Sequence, residues 1–371
     1  VQRSCAYNLG SLLAECASAQ FLLQDTVAIP LCKMTQSNDP NVRHACAHSL
    51  GVIAPRFLEV LIHDNQDNNK ALDYVQTITA SITKLISDPV WKVRHAAVEA
   101  LGNYGVYASK ECSHSISEAM KKGTIKHNSA GEALAKMGNV GQRLLVELLQ
   151  MENLCSQTRA ASAYGLSNID PIKSSITGQA VTALYSILNE PLSRIRIVAL
   201  EALHTLAVKA AQRVPSLAIR TLHPKLFQAL NDPCNSVANQ AAELLALASP
   251  EGELLLIEAI QKSCSRRVKV SALHGISKIG PRAFRSLLIA SEDPHLGVRQ
   301  SAQTMVVKIG AKDIATWVLS QDFRSIRSTK DAVNRLLTCS KYKNERTQVF
   351  SQTIQQIHEI LQATTESPWH V

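Results

Sequence analysis

Hydrophobic residues recur along this chain with the spacing of one face of an α-helix. In the stretch NDPNVRHACAHSLGVIA (residues 38–54), Val42, Leu50 and Ile53 fall at offsets of −1, +7 and +10 from Arg43. Residues at these offsets lie on one side of a helix with 3.6 residues per turn, and the polar residues between them lie on the other. The pattern therefore predicts an amphipathic helix whose buried stripe passes beside Arg43.

The same pattern returns along the chain. In SDPVWKVRHAAVEALGNY (residues 87–104), Leu101 has the same offset from Arg94 as Leu50 has from Arg43. Further copies are anchored at Gln2, His127, Arg159, Arg196, Ala238, Lys269 and Arg299, with a weaker copy near Lys330. The intervals between these anchors suit repeats of two helices with their turns, each repeat stacked on the next. The sequence thus predicts an all-α solenoid of about nine stacked helical hairpins.

The repeats also predict how the chain is organised. We expect one continuous array over residues 1–371. Its first unit is fragmentary (residues 1–20) because the pattern begins in register with a second helix, so we expect the natural chain to extend further toward the N terminus. The polar stretch HDNQDNNK predicts a surface loop over about residues 63–74. A polar-faced amphipathic helix over about residues 345–366 is predicted to cap the array.

An Asp-Pro dipeptide shortly precedes several anchors, which suits the start of a helix. The stem of the anchor arginine lies close to the buried stripe, so its guanidinium needs a carboxylate or carbonyl partner. We expect that partner to be the aspartate of its own turn or of the adjacent turn, so that stacking forms a structural ladder. The predicted ladder consists of Asp39, Arg43, Asp88, Arg94, Arg159, Arg196, Asp293 and Arg299. Units anchored at His127 and Ala238 lack the arginine and interrupt it.

The pattern D-P-x-(x-x)-V-R-x-A-A-x-x-L-G-x-I resembles the HEAT repeat, an ARM-like helical hairpin, and the resemblance covers nearly the whole chain. SDPVWKVRHAAVEALG and EDPHLGVRQSAQTMVVKIG match it closely. The resemblance implies a curved, right-handed α-solenoid of HEAT-type helical hairpins whose concave face is lined by the second helices. It also implies a non-enzymatic scaffold that binds other proteins along that face, although this fold carries many binding roles.

Composition and cysteine spacing bear on the cellular compartment of the protein. No run of apolar residues approaches the length of a membrane span, so no membrane partner is expected. The nine cysteines are scattered singly, without a C-x-x-C pair, which is typical of reduced thiols inside the cell. We therefore expect a cytoplasmic protein, and rank the nucleus second.

The net charge of +9 is concentrated toward the C terminus. Residues 1–185 hold 16 Lys and Arg against 15 Asp and Glu, whereas residues 186–371 hold 23 against 15. The candidate surface for an acidic partner comprises Arg266, Arg267, Lys269, Arg282, Arg285, Arg324, Arg327 and Lys330, within a basic C-terminal part over residues 262–346. Stacked turns would align these charges into a ridge or groove that attracts tubulin tails, phosphopeptides or nucleic acid. The alternative is a solvated surface.

Trp91 and Lys92 are a second candidate, as contacts from a turn between helices. They are similar to the Trp and Lys that tubulin-binding HEAT arrays of the TOG type present from such turns. The alternative, which we favour, is that Trp91 packs over the neighbouring turn.

No residues predict catalysis, a cofactor or a metal. One HEAT-like enzyme family holds two irons with paired His-Glu dipeptides, but His-Glu occurs here once, at His358-Glu359. There is no G-x-S-x-G or phosphate-binding loop.

We therefore predict a non-enzymatic scaffold within a larger cytoskeletal or ciliary, microtubule-associated assembly. Its partners would be proteins along the concave face or the basic turns, with tubulin or another acidic polymer among them. The alternatives are a nucleic-acid-binding HEAT array and a phosphatase- or transport-type scaffold for acidic peptides. Nucleic acid is the less favoured partner because few aromatic residues accompany the basic ones.

Overall fold

The computed structural model describes residues 3–8, 27–63, 68–211, 223–248, 251–338 and 348–365. All regular secondary structure in these ranges is helical. The chain divides into two compact units, Val1–Pro215 and Ser216–Val371. Each unit is described by itself.

In the first unit residues 3–8 are helical and five helical hairpins follow. The helices are α1 (Ala28–Met34), α2 (Pro40–His63), α3 (Asn68–Lys84), α4 (Trp91–Tyr104), α5 (Lys110–Lys121), α6 (His127–Lys136), α7 (Gly138–Gln150), α8 (Ser156–Ser167), α9 (Thr177–Ser186) and α10 (Ser193–Ala211). The odd-numbered helices pack side by side in one layer and the even-numbered helices in another.

The second unit continues the same pattern. Its helices are α11 (His223–Ala229), α12 (Asn235–Leu247), α13 (Glu251–Lys262), α14 (Arg266–Lys278), α15 (Phe284–Ser291), α16 (Leu296–Ile309), α17 (Ala311–Leu319), α18 (Phe323–Thr338) and α19 (Gln348–Thr365). Helices α12, α14 and α16 pack as second helices, and α11, α13 and α15 as first helices. The predicted all-α solenoid class is thus confirmed. Continuity of the array from one unit to the other stays a prediction.

The predicted buried stripe positions each second helix. In α4, Val93, Ala97 and Leu101 are fully buried, whereas Glu99 is exposed. Burying this stripe against the neighbouring repeat supplies most of the stability of such a helix, since a helix of this length is marginal by itself. The fully buried Tyr104 at its end donates a hydrogen bond to the backbone carbonyl of Leu50 in α2 (2.9 Å).

Glycine allows some second helices to approach until their backbones touch. A Cβ atom added at Gly165 in α8 would lie 2.6 Å from the carbonyl oxygen of Gly131 in α6. A Cβ atom added at Gly131 would lie 2.3 Å from the carbonyl oxygen of Ala161. Any larger side chain at either glycine must therefore move a helix. The α6–α8 contact depends on the two glycines.

The loop predicted over about residues 63–74 is wrong for its second half. Helix α2 continues to His63 and α3 begins at Asn68, while residues 64–67 lie outside the described residues. Among residues 72–84 of α3, the first buried side chain is Val75. Polar residues are tolerated on the outer face of such a helix, so they do not require a loop.

The chain's last repeat differs from the stacking expected at Lys330. Helix α19, rather than α18, packs against α16. Both α18 and α19 pack against α17 and against each other. The helix predicted over about residues 345–366 is α19, whose Phe350, Ile354 and Leu361 are buried. Of the predicted first repeat, only residues 3–8 lie within the described residues.

Candidate interaction surfaces

Arg43 and Asp88 join two neighbouring repeats. At the start of α2, Arg43 donates from Nε and Nη2 to the Asp88 carboxylate of the following turn, over 2.6 and 3.1 Å. Its Nη1 donates to the carbonyl oxygens of Ser37 and Asn38 in its own turn (2.8 and 3.0 Å). The backbone N–H of Val90 also donates to Asp88 (2.8 Å). One guanidinium thus binds both turns.

The Asp88 side chain is only 4% exposed, so its charge depends on these bonds. Burial by itself raises the pKa of the Asp88 carboxyl, but the hydrogen bonds from Arg43 and Val90 outweigh burial and lower the pKa below its ordinary value. The hydrogen bond to Asp88 also raises the pKa of Arg43. Removing one partner of such a pair leaves a charge that is buried and uncompensated.

The other anchor arginines repeat the bonds to their own turn. Arg94, Arg196 and Arg299 each donate from Nη1 to two successive carbonyls, five and six residues earlier in the chain. The acceptors are Asp88 and Pro89 for Arg94 (2.7 and 2.9 Å), Glu190 and Pro191 for Arg196 (2.6 and 2.9 Å), and Asp293 and Pro294 for Arg299 (both 2.8 Å). Arg94 also donates from Nε to the carbonyl oxygen of Thr124 in the next repeat (2.6 Å). Backbone carbonyls are therefore the regular partners of the anchors.

Where an anchor arginine also binds a carboxylate, that carboxylate belongs to the following repeat. Not every repeat has such a pair, so the predicted ladder is discontinuous. Arg159 donates to Glu190, which the sequence analysis missed, over 2.7 Å. The Glu190-Pro191 dipeptide stands where other repeats have Asp-Pro, and this substitution was the available signal. Asp39 instead accepts hydrogen bonds from Asn41. The repeat before Asp39 is anchored by Gln2 rather than by an arginine.

Lys269 belongs to the same set of contacts and not to an exposed basic surface. Its side chain is 10% exposed, and its Nζ donates to Oδ2 of Asp293 in the following turn over 2.5 Å. Burial raises the pKa of the Asp293 carboxyl, but the hydrogen bonds from Lys269 and from the backbone N–H of His295 lower it below its ordinary value. The structure thus corrects the assignment of Lys269 to the candidate partner surface.

The remaining basic candidates fall into two groups instead of a single ridge. Arg266 and Arg267 are exposed at the start of α14, where Nη1 of Arg267 donates to the carbonyl oxygen of Asp232 (3.3 Å). Arg282 and Arg285 lie beyond the other end of α14, about 18 Å away at 1.5 Å per residue. A helix separates the two groups.

Arg285 is brought to the first turns of α18. Its Nη2 donates to Oγ of Ser328 over 2.7 Å, which brings Arg285 to the turns of α18 that carry Arg324 and Arg327. Arg282 lies three residues before Arg285 in the chain. These four arginines, named here the arginine cluster, are all exposed. Lys330, in contrast, is half-buried. Sequence spacing did not predict the cluster, because α18 does not occupy the position of a regular second helix.

The arginine cluster is only partly neutralised. Nη2 of Arg282 lies 3.5 Å from Oε2 of Glu253, a long contact. Among the described residues no carboxylate lies within ion-pair distance of Arg285, Arg324 or Arg327. The cluster thus presents an excess of positive charge to solvent.

Trp91 is exposed rather than packed over the neighbouring turn, so the favoured sequence interpretation needs correction. Its side chain lies at the first position of α4 and is 59% exposed. Its ring stacks on His95 at a centroid distance of 6.4 Å, and Nζ of Lys92 lies 5.9 Å from the ring centroid. The ring therefore packs within its own helix and keeps one side open to solvent.

The described part of the chain offers no group of three or more His, Cys, Asp or Glu residues placed to hold a metal ion. Within the same described ranges, no helix has the length and apolar character needed to span a bilayer.

Comparison with known proteins identifies the repeat. The family model for the HEAT repeat matches residues 29–57 and 78–105, which correspond to the hairpins α1–α2 and α3–α4. No curated protein matches the chain in sequence.

Similar solved structures include two karyopherins and an engineered protein. Kap95p, in a structure with RanGDP, is 16% identical with a TM-score of 0.48, covering 95% of this chain and 51% of its own. Kap121p bound to the extreme C-terminus of the protein phosphatase Cdc14p is 13% identical with a TM-score of 0.41, covering 92% and 43%. The engineered protein is 18% identical with a TM-score of 0.37, covering 97% and 95%. This chain spans about half or less of the karyopherins.

The stacked hairpins and the arginines at the start of their second helices agree with the two repeat matches. The chain therefore contains HEAT repeats at residues 29–57 and 78–105.

Proposed function

We propose that this chain is a non-enzymatic scaffold that binds an acidic protein segment on the arginine cluster. We further propose that it works in the cytoplasm within a microtubule-associated assembly, either cytoskeletal or ciliary. The acidic partner would then be tubulin, whose polymer presents many copies of an acidic surface.

One observation carries the proposal: the bond from Arg285 to Ser328 brings together two separate parts of the chain that carry four exposed, only partly neutralised arginines. Arginine binds carboxylates through two parallel hydrogen bonds, and its charge increases the rate of encounter with an acidic partner. The bond from Arg285 to Ser328 holds one arginine in place before binding, which reduces the entropy lost on association.

The test is co-sedimentation of the full chain with microtubules across a salt series. We expect the wild-type chain to pellet at low salt and to be released as salt screens the contact. The variant Arg324→Glu/Arg327→Glu should bind at least about tenfold more weakly, because it replaces attraction with repulsion.

The matched control is Arg143→Glu/Arg194→Glu, which makes the same change of charge at two exposed arginines of the first unit. It should pellet like the wild-type chain. Equal losses of microtubule binding in both double variants would mean that only net charge matters, and that the arginine cluster is not the binding surface. If the wild-type chain stays in the supernatant at low salt, tubulin is excluded as the partner. Salt-sensitive binding to duplex DNA with no binding to microtubules would favour the nucleic-acid alternative.

A further inference from the structure

A second surface, in the first unit, combines an exposed tryptophan with several histidines. This histidine–tryptophan surface consists of Tyr7, His44, His48, Trp91, Lys92 and His95. Its residues come from the helical segment 3–8 and from α2 and α4, which pack side by side as second helices. The surface is therefore built on stacked repeats, which hold its side chains at fixed spacing.

Tyr7 packs against both histidines of α2. Its hydroxyl lies 2.6 Å from Nδ1 of His44, and its ring centroid lies 5.3 Å from that of His48. Arg3 lies near the same tyrosine ring, with its guanidinium carbon 6.0 Å from the ring centroid of Tyr7. The contacts bring two imidazoles and an arginine together around one aromatic ring.

Trp91 and His95 form a similar pair on α4. The imidazole stacks beneath the indole, and Nε2 of His95 lies 3.3 Å from Oε1 of Glu99. Because Trp91 is 59% exposed, its open side offers a large, rigid apolar area of the kind that anchors protein interfaces. Lys92 places a positive charge beside that area.

The charges around these histidines are mostly positive. Burial lowers the pKa of His44, and the charges of His48, Arg3, Lys92 and His95 lower it further. The ionisable groups on these helices and on those packed against them include Arg3 and Tyr7 from residues 3–8, Lys33 from α1, Arg43 and Glu59 from α2, Asp73 and Lys84 from α3, Lys92, Arg94, His95 and Glu99 from α4, and His127, Glu132 and Lys136 from α6. Arg43 is paired with Asp88, and Glu132 with Lys136. Glu99 is the carboxylate seen in contact with a histidine of the surface, His95.

We propose that the histidine–tryptophan surface binds an acidic protein segment that carries one hydrophobic side chain, and that binding is coupled to protonation of its histidines. The hydrophobic side chain packs on the open side of Trp91. The carboxylates of the segment face Lys92, Arg3 and the imidazoles. Because carboxylates favour the charged form of a nearby histidine, binding takes up protons, and affinity rises as pH falls.

The test uses Trp91 itself as the reporter. In the full chain, Trp317→Phe/Trp369→Phe leaves Trp91 as the sole tryptophan. The probes are a synthetic glutamate peptide with one central leucine and the same peptide with lysine in place of glutamate. We expect the glutamate peptide to change Trp91 emission. Its affinity should be about tenfold higher at about pH 6 than at about pH 8. The lysine peptide should produce no change.

Two variants separate the contributions. In the same background, His48→Gln/His95→Gln should still respond to the glutamate peptide but lose most of the pH dependence. The control His114→Gln, at an exposed histidine of α5 outside the surface, should behave like the parent. An unchanged pH dependence in the double variant would overturn the coupling to protonation. No emission change with the glutamate peptide at either pH, or an equal response to the lysine peptide, would overturn the whole proposal. Because emission from Trp91 reports only its own surroundings, binding at the arginine cluster does not enter this result.

Discussion

The two units use different cations for the same contact between repeats. In the first unit Arg43 binds the Asp88 carboxylate and two carbonyls of its own turn. In the second unit Lys269 occupies the same position in the repeat and binds Asp293 through one nitrogen. Arginine carries five donors in a planar fork, whereas lysine is a compact charge on a flexible stem.

The difference shows which half of the contact is essential. A carboxylate from the following repeat is present in both cases, and in both it caps its own turn by accepting from a backbone N–H two residues later. The bonds to the preceding carbonyls belong to the arginine repeats. We infer that the carboxylate joins the repeats, and that the arginine additionally fixes the turn before its own helix.

The largest expected effect comes from removing the carboxylate. Asp293→Ala should cost about 3 kcal/mol or more in the free energy of unfolding, because it leaves the buried Lys269 uncompensated. Asp88→Ala should cost about 2 kcal/mol, since Arg43 keeps two carbonyl partners. Urea unfolding of both variants measures the difference. Asp331→Ala, at an exposed site, is the control. If Asp88→Ala lost as much stability as Asp293→Ala, or more, the carbonyl bonds of Arg43 would not have the inferred role.

Acid should weaken both contacts together. The pKa values of Asp88 and Asp293 are lowered in the folded chain, so each contributes stability that is present above the ordinary aspartate pKa of about 3.9 and is lost as pH falls through the folded value. We expect the thermal midpoint to fall steeply below about pH 4. Asp293→Asn should flatten part of that fall. An identical acid profile in this variant would show that other carboxylates dominate.

Exchanging the cations should have a smaller effect. Arg43→Lys keeps a charge for Asp88 but gives up the bonds to Ser37 and Asn38, so we expect a loss of about 1.5 kcal/mol. Lys269→Arg should change stability by less, because the carboxylate contact survives. Thermal unfolding of the two variants under one set of conditions makes the comparison. A greater loss for Lys269→Arg would show that the second unit has no room for a guanidinium.

The smallest effect on stability is expected at the arginine cluster. Arg324→Glu/Arg327→Glu should shift the free energy of unfolding by less than about 0.5 kcal/mol, because both side chains are exposed and lack an ion-pair partner among the described residues. Circular dichroism during heating checks this. A large loss would place these arginines among the contacts that hold repeats together, and would remove them as a separate binding surface.

The periodic features of the fold were predictable from sequence, whereas contacts outside the repeat pattern were not. The hydrophobic stripes that include Leu50 and Leu101 correctly predicted the second helices, because helical periodicity can be recognised within a few turns of the chain. Lys269 was assigned to a surface because its charge suggested exposure. Its partner Asp293, 24 residues away, was already part of the predicted ladder, but that ladder was drawn for arginine anchors and did not include the lysine.

The candidate surfaces show the same limit. The arginine cluster depends on the contact of Arg285 with Ser328, which lie 43 residues apart, and on the displaced position of α18. Spacing predicts where a residue lies within its own repeat, but it gives no sign that a terminal helix leaves the stacking pattern. The exposure of Trp91 was likewise a property of the assembled turn and not of its sequence.

The glycine contact between α6 and α8 also constrains how this protein can change over time. Because Gly131 and Gly165 set the distance between two helices through backbone atoms, no choice of side chains elsewhere can restore that distance once either glycine is replaced. Surface residues of the same repeats can vary freely and so acquire new partners. We therefore expect homologous chains to keep this pair of glycines even where their binding surfaces have diverged beyond recognition.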